Sequence, residues 1–274
     1  SPMSQFASVV GVYGLGLVTV AAFSALVVLI GPGRRKARLG VALAAIAVLA
    51  GLNIGGALRL GRARLVETNT VVRLVQPDVD QASKWTPQAY TDIVQRYLNL
   101  TASPGAAVPD VILWPEGALP ARGDEVLAPG APEALALSRV LLPGQVLLAG
   151  LSRAEPDPAA HTGARYYNSL FVLGLEADGG LKISAVYDKH RLVPFGEFLP
   201  LGGLMGALGV RSLVHVPADF SPGPAPAPLS LPGGRPAVQP LIWYESLYPG
   251  LMSGGADRPR WIANVSNDAW FGRS

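Results

Sequence analysis

Residues 111–116 read Val-Ile-Leu-Trp-Pro-Glu, an apolar run that ends in proline and then presents a carboxylate. A short apolar run bounded by a turn-forming residue is typical of a buried strand. A glutamate directly past such a strand is placed to act as a general base at the edge of a sheet. Taken alone, however, the pattern around Glu116 more often marks an exposed loop carboxylate.

Similar apolar runs recur from residue 66 onward, and two helical patterns lie between them. Thr86, followed by Pro87, is a well-formed helix start. Strands that alternate with helices predict one α/β sandwich domain over residues 66–274. The five prolines at positions 222, 224, 226, 228 and 232 predict a long surface loop without regular structure over residues 218–234. The predicted strands are residues 70–75, 111–114, 145–151, 169–173, 183–187, 237–243 and 261–266, and the predicted helices are residues 86–100 and 132–141.

A cluster of ionisable residues follows the strand at 183–187, where residues 187–197 read Tyr-Asp-Lys-His-Arg-Leu-Val-Pro-Phe-Gly-Glu. In a pocket that excludes water, Lys189 can stabilise a developing oxyanion. On its own such a run is more often a solvated turn. No metal site is expected, because the three histidines (His161, His190 and His215) are scattered along the chain.

Two later strands also end in polar residues. The strand at 237–243 runs into Trp243, Tyr244 and Glu245, and the last strand runs into residues 264–272, Asn-Val-Ser-Asn-Asp-Ala-Trp-Phe-Gly. Each motif is weak by itself. Their order along the chain, with Glu116 first, Lys189 second and the end of a third strand afterwards, is more specific.

The first 65 residues predict a transmembrane hairpin. Residues 9–30 and 39–58 are apolar stretches long enough to cross a hydrocarbon core of about 30 Å. The loop between them carries Arg34, Arg35, Lys36 and Arg38, which the positive-inside rule places in the cytoplasm. A signal peptide is the alternative for the first stretch, although no basic region precedes it.

Composition agrees with a membrane protein. The mean hydropathy is +0.33, and only 15% of the residues are charged. The net charge of +3 comes largely from the arginines beside the apolar stretches, so no nucleic-acid partner is expected. The chain begins at Ser1 and ends shortly after a motif, which leads us to expect a piece of a longer protein.

Taken together, these motifs resemble the nitrilase or carbon-nitrogen hydrolase superfamily, and most closely its membrane branch, the apolipoprotein N-acyltransferases. The resemblance covers nearly the whole chain. It is carried by Gln76-Pro77 through Lys84-Trp85, Trp114-Pro115-Glu116, Tyr187-Asp188-Lys189 through Leu199, Tyr244-Glu245 and residues 266–272.

The resemblance implies an α-β-β-α sandwich on the periplasmic side of a bacterial inner membrane. It also implies transfer of a fatty acyl group from a phospholipid to the N-terminal amine of a diacylglyceryl lipoprotein, through a cysteine thioester and without a cofactor. Glu116 would then be the general base and Lys189 the oxyanion stabiliser. Glu197 and Glu245 would support the site, and Trp85 and Tyr244 would contact substrate.

The chain departs from this pattern at the nucleophile position, which Trp243 occupies. The sequence contains no cysteine, and an indole offers no nucleophile. Neither Ser246 nor Ser266 lies at the strand-end position. We therefore expect no acyl-enzyme. Three functions stay open: an N-acyltransferase or its inactive form, an amidase, and a non-catalytic protein that binds phospholipid or lipoprotein.

Overall fold

The computed structural model describes residues 1–64, 68–80, 84–160, 162–199, 219–252 and 258–267. The chain divides into two compact units, Ser1–Thr68 and Asn69–Ser274. Each unit has its own architecture, and the candidate catalytic residues all belong to the second.

The first unit contains two long apolar helices. Helix α1 spans Ala7–Leu26 and continues as a 3₁₀ turn over Val27–Ile30, and α2 spans Arg35–Arg62. The helical stretches Met3–Ile30 and Arg35–Arg62 each have 28 residues and hydropathies of 2.3 and 2.2, so both are long and apolar enough to cross a membrane. The two apolar helices predicted from the sequence are thus present, and they could form a hairpin.

The chain between α1 and α2 reverses where the sequence supplies glycines. Gly33 adopts a φ of 126°, which is open to glycine but not to residues with a side chain. The guanidinium of Arg38 donates to the carbonyl oxygen of Gly31 and so satisfies a backbone acceptor in the turn.

A five-stranded mixed sheet forms the centre of the second unit. Its strand order is β1-β2-β3-β4-β5, with β1, β2 and β3 parallel and β4 and β5 antiparallel to their neighbours. The strands are β1 (Val72–Leu74), β2 (Val111–Trp114), β3 (Val146–Pro156), β4 (Ala164–Leu175) and β5 (Leu181–Asp188).

A second sheet has three strands in the order β6-β7-β8. Strand β7 pairs antiparallel with β6 and parallel with β8, with Ile242 opposite Val265. The strands are β6 (Leu229–Leu231), β7 (Arg235–Ile242) and β8 (Trp261–Val265).

Apolar side chains on the two faces of the central sheet form two separate cores. The helices described in this unit are α3 (Pro87–Ala102), α4 (Gly123–Val126) and α5 (Pro132–Val140). On one face, Ile112 and Leu147 pack with Ile93 and Tyr97 of α3 and Leu137 of α5. The other face packs against the second sheet, and the completely buried members of that core include Val111, Leu148, Leu170, Val238 and Ile242.

The described part of this unit is therefore a helix layer, a five-stranded sheet and a three-stranded sheet. It confirms the predicted mixed α/β fold, and all seven predicted strands and both predicted helices are present. Helix α3 begins where predicted, with Thr86 at the N-cap and Pro87 in the first turn. A second helix layer is not among the described residues.

The prediction of no regular structure in residues 218–234 is wrong for its last third. Strand β6 occupies Leu229–Leu231 and a 3₁₀ turn occupies Pro232–Gly234. The three residues of β6 lie between Pro228 and Pro232, so each can donate to a neighbour. Among the described residues β6 pairs with β7 alone, which is the arrangement of an edge strand, the position in a sheet that tolerates nearby proline.

Candidate active site

The three residues that the order of the motifs predicts to form a site lie close together, each just after the end of a strand. Glu116 follows β2, Lys189 follows β5, and Trp243 follows β7 in the other sheet. The Lys189 Nζ atom lies 3.4 Å from Glu116 Oε1 and 5.3 Å from the centroid of the Trp243 ring. The ammonium group of Lys189 is therefore in reach of both the carboxylate and the side chain at position 243.

Lys189 is shared by two carboxylates. Its Nζ atom lies 2.9 Å from Glu197 Oε1, closer than to Glu116, and its side chain is completely buried. The second oxygen of Glu197 accepts the backbone N–H of Val193 at 2.9 Å, which fixes the carboxylate within its own loop. A buried ammonium between two carboxylate acceptors is held in place by both of them.

Asn168, on β4, joins the two carboxylates, and no motif in the sequence predicts this role. Its Nδ2 donates to Glu116 Oε1 at 2.6 Å and to Glu197 Oε1 at 3.0 Å. The backbone carbonyl oxygen of Asn168 accepts the backbone N–H of Lys189 at 2.8 Å. One residue thus positions all three members of the charged cluster. A single asparagine within an apolar strand gives no sequence signal of this role.

Burial sets the electrostatic character of Glu116. Desolvation raises the pKa of its carboxyl, and the nearby Lys189 charge and the Asn168 hydrogen bond oppose that rise. A carboxylate with a raised pKa is a better proton acceptor than an exposed one. Glu116 is therefore suited to take a proton from a nucleophile at position 243.

A second lysine lies beside this cluster. Lys84 is only 4% exposed, and its Nζ donates to the carbonyl oxygen of Gly117. Burial lowers the pKa of the Lys84 ammonium to about 8, although the charge of Glu116 opposes the change. Lys84 belongs to one of the motifs that carry the family resemblance, but the resemblance implies no role for it.

Trp243 adopts a backbone conformation that is unusual for a bulky residue. Its φ is +48°, and it begins a 3₁₀ turn over Trp243–Leu247 directly after β7. Such a left-handed residue at a strand end turns its side chain away from the path of the strand, and strain of this kind concentrates at functional sites. The Ser246 hydroxyl donates to the Trp243 carbonyl at 3.1 Å, so its hydrogen is directed to the backbone.

Glu245, unlike Glu116 and Glu197, binds a tyrosine hydroxyl and backbone N–H groups rather than Lys189. It is completely buried, and its Oε1 accepts the Tyr187 hydroxyl at 2.7 Å and the backbone N–H groups of His190 and Arg191 at 2.8 and 3.0 Å. Its Oε2 accepts the N–H of Ile242 at 2.9 Å. Glu245 therefore ties the turn after β7 to the segment after β5.

The two aromatic residues expected to contact substrate lie at different places. The Tyr244 ring lies between those of Trp243, 6.0 Å away, and Tyr248, 5.4 Å away. The Trp85 side chain is 69% exposed, and its ring centroid is 5.8 Å from Lys84 Nζ. Trp85 thus contacts Lys84, which lies beside the charged cluster.

The remaining site predictions concern metal and the final motif. Within the described part of the chain, no group of three His, Asp or Glu side chains could hold a metal ion. The Nδ1 atom of His190 lies 2.8 Å from the Gly223 carbonyl oxygen, a structural contact. His161, His215 and residues 268–272 of the last motif lie outside the described residues.

Comparison with known proteins adds two kinds of relatives. A protein of Caulobacter vibrioides named apolipoprotein N-acyltransferase is 44% identical over 99% of this chain and 50% of its own length. One of Bradyrhizobium diazoefficiens with the same name is 38% identical over 100% of this chain and 51% of its own length. The chain spans about half the length of the curated relatives it matches. No family model matches it.

Among solved structures, an amidase of the nitrilase superfamily from Nesterenkonia aligns with 69% of this chain and 62% of its own. It is 18% identical and has a TM-score of 0.37. A glutamine-dependent NAD+ synthetase from Acinetobacter baumannii gives 18% identity and a TM-score of 0.36 over 59% of this chain and 26% of its own. Likenesses at this level carry no inference about function.

Proposed function

We propose that this chain, a homologue along its whole length of proteins named apolipoprotein N-acyltransferase, belongs to a membrane protein of lipoprotein maturation. The observation that carries the proposal is the cluster of Glu116, Lys189 and Glu197 beside position 243. A base, a buried ammonium and a strand-end side chain are the parts that acyl transfer through a covalent intermediate needs.

The first half-reaction requires a thiol at position 243. Glu116 takes the thiol proton, and the thiolate attacks the carbonyl carbon of a phospholipid ester. Lys189 stabilises the resulting oxyanion, because its charge is fixed in a site that excludes water. When the intermediate collapses, the C–O bond breaks, the acyl group stays on sulfur, and the lysophospholipid oxygen recovers the proton from Glu116.

In the second half-reaction the N-terminal amine of a diacylglyceryl lipoprotein attacks the thioester carbon. Glu116 accepts the proton that the amine loses, and the C–S bond breaks to release an amide and the thiolate. Glu197 and Asn168 hold Lys189 and Glu116 in place throughout, and Glu245 fixes the backbone on both sides of the site. No cofactor takes part in either step.

In this chain Trp243 stands at the nucleophile position, so we propose that it forms no acyl-enzyme. The indole cannot attack an ester, and its ring, 5.3 Å from Lys189, takes up space that the ester carbon would need. The same observation favours a second candidate function. A closed, ion-paired site could hold phospholipid or lipoprotein without turnover, and its binding would not depend on the charge of Glu116.

We further propose an inner-membrane location with the second unit on the extracytoplasmic side. The two apolar helices support a membrane location, and the basic residues between them support cytoplasmic placement of their connecting loop. Phospholipid would then be available as the acyl donor from the surrounding bilayer.

The proposal is tested by acyl transfer in a chain extended to the full length of its relatives. Protein with Trp243 or with Trp243→Cys is incubated with phosphatidylethanolamine and a synthetic diacylglyceryl peptide, and peptide N-acylation is followed by mass spectrometry. Transfer is expected with Trp243→Cys alone. Adding Glu116→Gln should abolish it, whereas adding Glu176→Gln, at an exposed site, should not.

Two results would overturn parts of the proposal. Transfer at a similar rate with Trp243 in place would show that the chain is active without a thiol. Hydrolysis of simple amides without acyl transfer by the Trp243→Cys protein would assign the site to an amidase. Phospholipid binding by the Trp243 protein that Glu116→Gln leaves unchanged would support the binding function.

A further inference from the structure

Arg191 is a cation beside the candidate site to which the reaction described above gives no part. It lies two residues after Lys189 and is exposed. Its backbone N–H donates to Glu245 Oε1 at 3.0 Å, so the buried carboxylate holds the backbone of Arg191 and not its guanidinium. Two residues of chain span at most about 7 Å, so the side chains of Arg191 and Lys189 start from neighbouring points of the backbone.

A row of three aromatic rings joins these two cations. The centroid of the Trp243 ring lies 5.3 Å from Lys189 Nζ and 6.0 Å from the centroid of the Tyr244 ring. The Tyr248 ring follows, 5.4 Å from that of Tyr244, and its centroid lies 5.6 Å from Arg191 Cζ. Lys189 is therefore at the buried end of the row and Arg191 at the exposed end.

Of the two cations, Arg191 is the one whose charge is available to an anionic ligand. The Lys189 ammonium is completely buried and is shared by Glu116 and Glu197. Among the described residues no carboxylate forms an ion pair with the Arg191 guanidinium, which lies beside the Tyr248 ring instead. A guanidinium on an aromatic ring keeps its N–H groups free, and their planar fork matches the oxygens of a phosphate.

This arrangement matches the chemistry of a glycerophospholipid. The phosphate of such a lipid is only a few bonds away from the ester carbonyl that acyl transfer requires. With the ester beside position 243 and Lys189, the phosphate would lie further out along the row, beside Arg191. The rings of Tyr244 and Tyr248 would contact the glycerol between them, because a tyrosine presents an apolar face together with a polar hydroxyl.

We propose that Arg191, supported by the Tyr248 ring, binds the phosphate of a glycerophospholipid whose ester lies beside position 243. The inference rests on the proposed function, because it takes a phospholipid to be the acyl donor. The subsite selects lipids that carry a phosphate over neutral glycerolipids. Its contribution to affinity falls as salt is added, because an ion pair at an exposed site is screened.

The test measures binding rather than turnover, in the chain extended to the full length of its relatives and kept in maltoside micelles. One protein retains Trp243, and another carries Trp243→Ala, which removes the ring from the place of the ester and supplies no nucleophile. Dihexanoylphosphatidylethanolamine and dihexanoylglycerol have the same acyl chains and differ by the phosphate headgroup. Each lipid is titrated into both proteins by isothermal titration calorimetry.

Removal of the Arg191 charge should weaken the binding of one lipid alone. We expect Arg191→Gln to lower the affinity for dihexanoylphosphatidylethanolamine about tenfold and to leave that for dihexanoylglycerol unchanged. Arg191→Lys keeps the charge without the planar fork, so its affinity should lie between the two. The matched control is Arg139→Gln, which removes an exposed arginine from the last turn of α5 and should alter neither affinity.

Salt and inorganic phosphate separate this role from its alternatives. The loss caused by Arg191→Gln should shrink between about 50 mM and about 1 M NaCl, because screening weakens the ion pair in the unsubstituted protein. A structural defect would persist at both salt concentrations. Inorganic phosphate should bind far more weakly than the lipid, because it lacks the acyl chains and the glycerol.

The proposal is overturned if Arg191→Gln weakens both lipids equally or neither, if neither protein binds dihexanoylphosphatidylethanolamine, or if inorganic phosphate binds as tightly as the lipid. Its failure differs from failure of the proposed function, since binding requires no acyl transfer. The expected Arg191 dependence without acyl transfer after Trp243→Cys would remove the acyltransferase assignment alone. Acyl transfer by a Trp243→Cys protein whose lipid binding ignores Arg191→Gln would remove the phosphate subsite alone.

Discussion

The Oε1 atom of Glu245 lies 2.8 Å from the backbone nitrogen of His190, the residue after Lys189. Glu245 belongs to the turn that begins at Trp243, so this hydrogen bond joins the nucleophile position to the lysine segment. The segments that follow β5 of one sheet and β7 of the other meet at this point, and a buried carboxylate joins them. The geometry of the site therefore depends on a residue that touches no substrate.

Replacing Glu245 with glutamine should destabilise the second unit. Glu245 accepts four hydrogen bonds, and a glutamine amide must direct its NH₂ group toward at least one N–H or O–H donor. Leaving a buried donor without an acceptor costs about 1–3 kcal/mol. Thermal unfolding followed by circular dichroism should show a lower midpoint than Glu176→Gln, an exposed control. Equal midpoints for the two variants would contradict the role.

Gly150→Ala should displace the turn that carries Glu116. A Cβ atom at Gly150 would lie 2.4 Å from the Pro115 carbonyl oxygen and 2.8 Å from the Glu116 Cα, so the backbone must move. We expect a loss of about 1–3 kcal/mol in the free energy of unfolding, typical of overpacking. Gly174→Ala on β4 is the control, because its new Cβ would meet its nearest atom at 3.6 Å. The measurement is urea unfolding of both variants.

The stability of the second unit should rise with pH between about 8 and 10.5. Burial lowers the pKa of Lys84 from 10.5 to about 8, so in this window the unfolded chain binds a proton that the folded chain has lost. The free energy of unfolding then increases with pH, by about 3 kcal/mol at most. Below pH 8 both states are protonated, and the cost of the buried charge is present in full.

The Lys84→Met variant isolates this effect from the titration of other groups. Its free energy of unfolding should lack the rise, so the natural chain should gain stability relative to the variant as the pH increases through this window. Urea titrations at pH 7, 8, 9 and 10 measure the difference. A constant difference across these values would show that Lys84 is not destabilised by its surroundings.

Local pattern predicted the fold because the strands are buried. Residues 111–114 and 145–151 are largely apolar runs without proline, and both lie in strands whose side chains fill the cores. Pattern failed at β6, where three residues between prolines pair with β7. That pairing depends on a neighbouring strand, which proline content alone does not reveal.

The candidate site could likewise be predicted from the sequence only in part. Glu116 and Lys189 each follow a strand directly, so their convergence could be inferred from chain order. Asn168 and Lys84 could not be found in this way. Asn168 lies 52 positions from Glu116 and Lys84 lies 33 from Gly117, so only the tertiary fold brings these pairs together.

The most direct test of the site assignment is the intact mass of the protein after incubation with phosphatidylethanolamine. Protein extended to the length of its relatives is compared with Trp243 and with Trp243→Cys. We predict one fatty acyl adduct on the Trp243→Cys protein, removed by hydroxylamine as a thioester would be, and none on the protein with Trp243. An adduct on the Trp243 protein, or none on either while both remain folded and bind lipid, would contradict the assignment.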